Sequence, residues 1–189
     1  MNLVLKTAPT VEPISSTEAK AYLKVDYTDD DAQIAALIKS ARIYCENFQN
    51  RAYITQTWTM YLPCFYEAIR TPKGNLQTIN SVKYKNSAGT EVSLVENTDY
   101  IYSKNNIEGV ITTPYGVAWP SFTEYPLDAI AIEFTCGYGL AVAVPETVKQ
   151  AMLMLISYWY DQKDIATAIS KDIQNAVHNL LWQDRLVSV

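Results

Sequence analysis

The chain contains a single histidine, His178, and only three cysteines, Cys45, Cys64 and Cys136, with no CxxC pair among them. So sparse and odd a set supports neither a disulfide framework nor a zinc site. The three thiols read instead as small, reduced, buried hydrophobes. His178 has no Ser, Cys or carboxylate at a recognised triad spacing. No G-x-S-x-G, H-E-x-x-H or P-loop occurs. The sequence therefore predicts no enzyme, no bound metal and no cofactor. Charge is scarce as well, at 19% of residues against roughly 25% in an average soluble domain. Fifteen Lys and Arg against twenty Asp and Glu leave a net −5, a balance ill suited to gripping phosphate. Long apolar runs are missing too. The most apolar stretch, Leu140 to Tyr160, is interrupted by Pro145, Glu146, Lys149 and Gln150, whereas a membrane span needs about 20 nearly uncharged residues. The opening MNLVLKTAPTVEP has neither the cationic start nor the apolar core of a signal peptide. The expectation is a soluble protein made in the cytoplasm.

What is present is a chain of 189 residues, 49% hydrophobic. Folded as one unit it would bury roughly 70% of its unfolded surface without staples. Its few charges favour an oligomer. Helix grammar comes first. Ser15 and Glu18 stand at capping-box spacing, so each can satisfy an orphaned backbone N–H. Asp29-Asp30-Asp31 opens a second helix, where carboxylates can cap free N–H groups and favour the positive end of the dipole. Ile34, Leu37, Ile38, Ala41, Tyr44, Cys45 and Phe48 follow at three-to-four spacing, an amphipathic stripe. About 19 helical residues would span roughly 28 Å.

From Ala52 the period changes to two. Ile54 to Leu62 alternates large apolar and polar residues and is rich in β-formers. Ala68 to Arg70 reads as a short strand closed by Pro72-Lys73-Gly74. Ile79 to Lys85 and Glu91 to Val95 flank a glycine-containing hairpin turn at 86–90. Tyr100 to Tyr102, Val110 to Thr112 and Ala129 to Thr135 complete six to eight strands. Pro114, Gly116, Pro120 and Pro126 mark a long connection of the kind that often binds partners. Pro145 restarts helix, with Val148, Ala151, Met152, Leu155, Ile156 and Trp159 on one face. A last helix, about Asp172 to Gln183, carries Ile173, Val177, Leu180 and Leu181. Helices at both ends and strands between them predict an α+β fold. The expected layout is one domain over 1–189, helical at 1–50, β-rich at 52–136 and helical at 145–183.

Three motifs invite chemistry and yield to plainer readings. Asp26 and Asp29 to Asp31 offer hard oxygen ligands, but the D-x-[DN]-x-[DN]-G pattern and its distant Glu are missing. Thr135-Cys136-Gly137-Tyr138-Gly139 is close to a potassium-filter sequence, yet without membrane helices it reads as a strand ending in a glycine turn. Fourteen tyrosines, four tryptophans and four phenylalanines suit a stacking platform for sugars or single-stranded nucleic acid. No two basic residues are adjacent, so protein interface and core are the better reading.

Several segments together resemble the head–tail connector proteins, also called adaptor or head-completion proteins, of long-tailed bacteriophages and prophages. They are Leu5 to Pro9, Glu12 to Ser15, Glu18 to Asp26, the acid-started helix Asp29 to Ala41, and Thr55-Gln56-Thr57-Trp58. Pro114-Tyr115-Gly116, Trp119-Pro120, Gly137-Tyr138-Gly139, Val144-Pro145-Glu146, Gln150-Ala151 and Tyr158-Trp159-Tyr160 follow in the same order. The resemblance implies an α-helical body with a β-rich insertion and a non-enzymatic virion protein. It implies a homo-oligomeric ring of about twelve copies, docked below the portal protein and leading toward a tail-completion or further connector protein. DNA would pass through its lumen without specific binding. The related alternative is a tail-completion or tail-terminator subunit; the unrelated one is a sugar- or peptide-binding module.

Within that reading two surfaces are expected. Lys39, Arg42 and Glu46, on the polar side of the second helix, are expected to face neighbouring subunits or solvent. Ile173, Val177, Leu181, Trp182 and Arg185, in the last helix and just beyond it, are the expected portal contact, since Trp and Arg are frequent interface hot spots. The competing reading is that this helix packs on its own subunit.

Overall fold

The computed structural model describes residues 1–105, 108–121, 125–162 and 169–187. The fold is α+β, with four helices and eight strands among the described residues. The chain divides into two compact units. One comprises Met1–Pro9 and Thr55–Gly137, the other Thr10–Ile54 and Tyr138–Val189.

The first unit is all β. Strands β1 (Asn2–Thr7), β2 (Gln56–Leu62), β4 (Leu76–Lys85), β5 (Glu91–Leu94) and β8 (Ile130–Cys136) form an antiparallel sheet in the order β1-β2-β8-β4-β5. Strands β3 (Ile69–Gly74), β6 (Ile101–Ser103) and β7 (Glu108–Thr112) form a second sheet, β3-β7-β6. Alternation does what the period-two pattern requires. In β8, Ile130, Ile132, Phe134 and Cys136 are buried, while Ala131, Glu133 and Thr135 look outward. Met60, Leu62 and Val82 join the same buried face, each such side chain contributing about 1.5–3 kcal/mol on leaving water. The two sheets are in close contact at Gly109, where an added Cβ would stand 2.2 Å from Leu76 Cδ2. The hairpin turn forms as expected: Asn86 Oδ1 accepts from the N–H groups of Ala88 and Thr90, both at 3.0 Å, and Gly89 takes φ +79°.

Two strand expectations need correction. The stretch 1–50 is not helical from its start, because Asn2–Thr7 is an edge strand paired with Thr57 to Tyr61. Its six residues contain no internal periodicity, and only a partner more than fifty residues away makes them a strand. Likewise Pro72-Lys73-Gly74 continues β3 rather than closing it. β3 is an edge of its sheet, where a proline's missing N–H need not break a ladder.

The second unit is helical, with α1 (Ser16–Leu23), α2 (Asp31–Gln49), α3 (Glu146–Asp161) and α4 (Lys171–Trp182). The capping box is present in full: Glu18 N donates to Ser15 Oγ at 3.1 Å and Ser15 N donates to Glu18 Oε2 at 2.7 Å. The Ser15 N–H bond, with a second donated by Ser15 Oγ at 2.7 Å, holds the Glu18 carboxyl below its ordinary value. Ile34, Ile38, Ala41 and Cys45 of α2 pack with Val148, Met152, Leu155 and Ile156 of α3 and Val177 and Leu181 of α4. The acidic start of α2 behaves differently from the expectation. Asp30 makes no side-chain cap bond; its carboxylate accepts the hydroxyls of Tyr27, at 3.1 Å, and Tyr160. Tyr160 lies 130 residues away, so sequence spacing gave no sign of it. No helix among the described residues is long and apolar enough to cross a membrane.

Candidate assembly surfaces

Helix α2 has two faces of opposite character. On its inner side lies a charged network within the helical unit. Arg42 grips Glu12 with two nitrogens, Nε to Oε2 at 2.6 Å and Nη2 to Oε1 at 3.3 Å, and donates from Nη1 to Glu46 Oε2 at 2.7 Å. Glu46 Oε1 in turn accepts the Tyr53 backbone N–H at 2.8 Å. Burial works against the guanidinium charge, but the bonds and charges of Glu12 and Glu46 outweigh it and raise the Arg42 pKa. Arg42 is 5% exposed and Glu46 7%. These two residues therefore do not face solvent as expected; their partners belong to their own chain. The physical reason is Glu12, which supplies the second carboxylate that makes burying an arginine tolerable.

Lys39 alone of the three stays exposed. It shares the outer side of α2 with Ala32, Ala36, Ser40, Ile43 and Asn47, all exposed. That face carries one charge over four turns and presents Ile43 at 43% exposure. Its small side chains let another surface come close.

The residues expected at the end of the chain divide in the same way. Val177 and Leu181 are buried in the core of their own unit and Ile173 is half-buried against it, whereas Trp182, 60% exposed, and Arg185 are outside. Arg185 lies over the Phe48 ring at 4.7 Å and the Trp182 ring at 5.1 Å. Phe48 stacks on His178 at 4.0 Å, and Tyr44 Oη stands 3.1 Å from His178 Nε2. Desolvation, with the Arg185 charge adding to it, holds the His178 pKa below its ordinary value. The segment after α4 is tied back to the end of α2. Gln49 Nε2 donates to Leu181 O at 2.6 Å, Leu186 N to Gln49 O at 2.9 Å, Asn50 Nδ2 to Leu186 O at 3.0 Å, and Arg51 Nε to Asp184 O. Gln49, Asn50 and Arg51 were not legible as anchors, because their acceptors are backbone carbonyls that no side-chain pattern announces.

Elsewhere the side chains offer little reactivity. Among the described residues no group of three His, Cys, Asp or Glu is placed to hold a metal ion. The Cys45 thiol is pushed up by burial and the nearby Glu46 charge, away from the thiolate form. The polar face of the five-stranded sheet holds a shallow depression of about 300 Å³ lined by Lys6, Lys83, Glu91 and Glu133 among others. Lys6 bonds Glu133 and keeps its carboxyl low. The charges there alternate and neutralise one another.

The head completion protein family matches residues 12–174 of the chain. The chain belongs to that family. This head completion protein also shares its fold with chains of phage-like particles. It superimposes with a TM-score of 0.82 and 19% identity on a chain from the neck of an empty GTA particle computed with C6 symmetry. The values are 0.81 and 20% for a chain from the virion of a native gene transfer agent particle. For the neck of a native GTA particle computed with C12 symmetry they are 0.76 and 20%. Each likeness covers 100% of this chain and 97% of the other. No curated protein matches the sequence.

Proposed function

We propose that this head completion protein is a structural subunit of a virion neck, assembled as a ring of about twelve copies that joins the portal of the head to the tail and continues the DNA channel. One observation carries the reading: the family match over residues 12–174, within a fold shared along the whole chain with neck subunits. The outer face of α2, with Lys39 and Ile43, is the surface between neighbours in the helical unit. Trp182 and Arg185 are the contact offered to the portal. A net −5 on each copy makes the ring anionic, so phosphates slide past rather than adhere. The reading supposes no catalysis and no cofactor.

The test is removal of the chain from particle assembly. DNA-filled heads without tails are expected, with tails restored by the wild type and not by a variant carrying Trp182→Ala and Arg185→Ala. Normal tailed particles in the absence of the chain would sink the reading.

A further inference from the structure

The connection after β7 contains a stretch, Thr113 to Ser121, without one charged side chain. Val117 N donates to Pro114 O at 3.0 Å, closing a tight turn in which Gly116 takes φ +77°, a value glycine adopts without strain. Tyr115 stands at the tip of that turn, fully exposed at 106%. The tip is firmly based. Trp119 Nε1 donates to Tyr66 O at 2.8 Å, and the Trp119 and Phe65 rings stack at 4.5 Å with planes 3° apart. Thr112 Oγ1 also donates to Glu67 O at 3.0 Å. A large amphipathic ring held out on a braced turn has surrendered its backbone freedom before meeting any partner, which is how preorganised contacts gain affinity. The absence of Lys and Arg excludes nucleic acid as that partner.

The same unit carries a receptor of fitting chemistry. A depression of about 350 Å³ lies along β6, lined by Ile101, Tyr102, Glu96, Asn97, Ser103 and Lys104. Ile101, 38% exposed, gives apolar surface for an aromatic ring; the polar side chains supply donors and acceptors for a phenol. In the sheet order β3-β7-β6, the turn is anchored on residues leading into β3, and the depression follows β6. Projection and receptor thus belong to opposite edges of one sheet. That is the arrangement of a heterologous, head-to-tail contact, the type that repeats around a closed ring.

We propose that Tyr115 of one copy seats in the Ile101 depression of the next, so that the β units as well as the helical units join neighbours. This rests on the ring reading above. The test uses the full chain in a Cys64→Ser background, leaving only the buried Cys45 and Cys136. Sedimentation as a function of concentration compares wild type with Tyr115→Ala and Ile101→Ser. Each variant is expected to weaken self-association by about tenfold or more, with the pair together losing less than the product, and to keep the wild-type Tm. Mixing a Tyr115→Cys chain with an Ile101→Cys chain under mild oxidation is expected to give the mixed disulfide in preference to either homodimer. Wild-type assembly that both substitutions leave unchanged, or the lack of a mixed disulfide within formed rings, overturns this contact and leaves the ring reading standing. A wild type that remains monomeric at every concentration overturns both.

Discussion

The two units hold themselves together by different means. The helical unit accepts charged and polar side chains into its interior, with Arg42, Glu46, Gln49 and Arg51 all buried, and answers each with partners on other segments. The β unit buries no charged side chain among its described residues; it pairs charges at the surface, as where Lys6, Glu133, Lys83 and Glu91 share one open sheet face, and fills its interior with Met60, Val82, Ile111, Ile130, Ile132 and Phe134. The difference teaches where each unit is fragile. Packed helices leave room for a long side chain to reach a distant partner, so one deletion strands a charge. Two stacked sheets leave little slack, so one added atom is felt.

The largest effect on this contrast should come from Arg42→Ala. It leaves Glu12 and Glu46 facing each other without their cation, and breaking a buried pair costs about 3–5 kcal/mol. Urea unfolding should show a loss of stability of that size, with faster hydrogen exchange in α2 and α3; a loss below about 1 kcal/mol would show the network to be solvated. Gly109→Ala probes the other unit. Its methyl group would meet Leu76 Cδ2 at 2.2 Å and Thr71 Oγ1 at 2.9 Å, and overpacking of this kind costs about 1–3 kcal/mol. Hydrogen exchange should accelerate in β4 and β7, and a neutral result would mean that the sheets can part.

The smallest effect is local to α1. Ser15→Ala removes the cap, at a cost of about 1 kcal/mol. It also changes the response to acid. Glu18 has its folded pKa lowered from an ordinary value of 4.5 by the Ser15 bonds. Its contribution is therefore present above that ordinary value and lost as pH falls through the depressed one. The variant keeps the larger bond, from the backbone N–H of residue 15, and loses the one from the hydroxyl, so it should lose only slightly less stability than wild type between pH 5 and pH 3 in thermal melts; parallel curves would show that the Ser15 hydroxyl contributes nothing through the Glu18 charge.

How much could be read in advance depended on the range of each interaction. The capping box, the α2 stripe and the 86–90 hairpin turn are written within a few residues, and the fold carries all three. Sequence spacing puts Lys39, Arg42 and Glu46 together on one charged stripe of α2. That pattern could not separate Lys39, which stays in water, from Arg42, which finds Glu12 thirty residues upstream. Ile173, Val177, Leu181, Trp182 and Arg185 were read as one surface, yet a helix of 12 residues has room for a face to bury and an end to show.

By itself the sequence determined the α+β class, the helix starts, the strand period and the family, because caps, turns and alternation are short-range rules obeyed before any tertiary contact forms. Tertiary structure alone decided that Asn2–Thr7 is a strand, that Asp30 binds two tyrosines rather than capping α2, and which charges are hidden. It also braced the 113–121 turn on Phe65 and Tyr66 so that Tyr115 stands clear of the protein. Each of these depends on groups brought together from distant parts of the chain, and a side chain's neighbours across such a span are fixed only when the whole core closes around them.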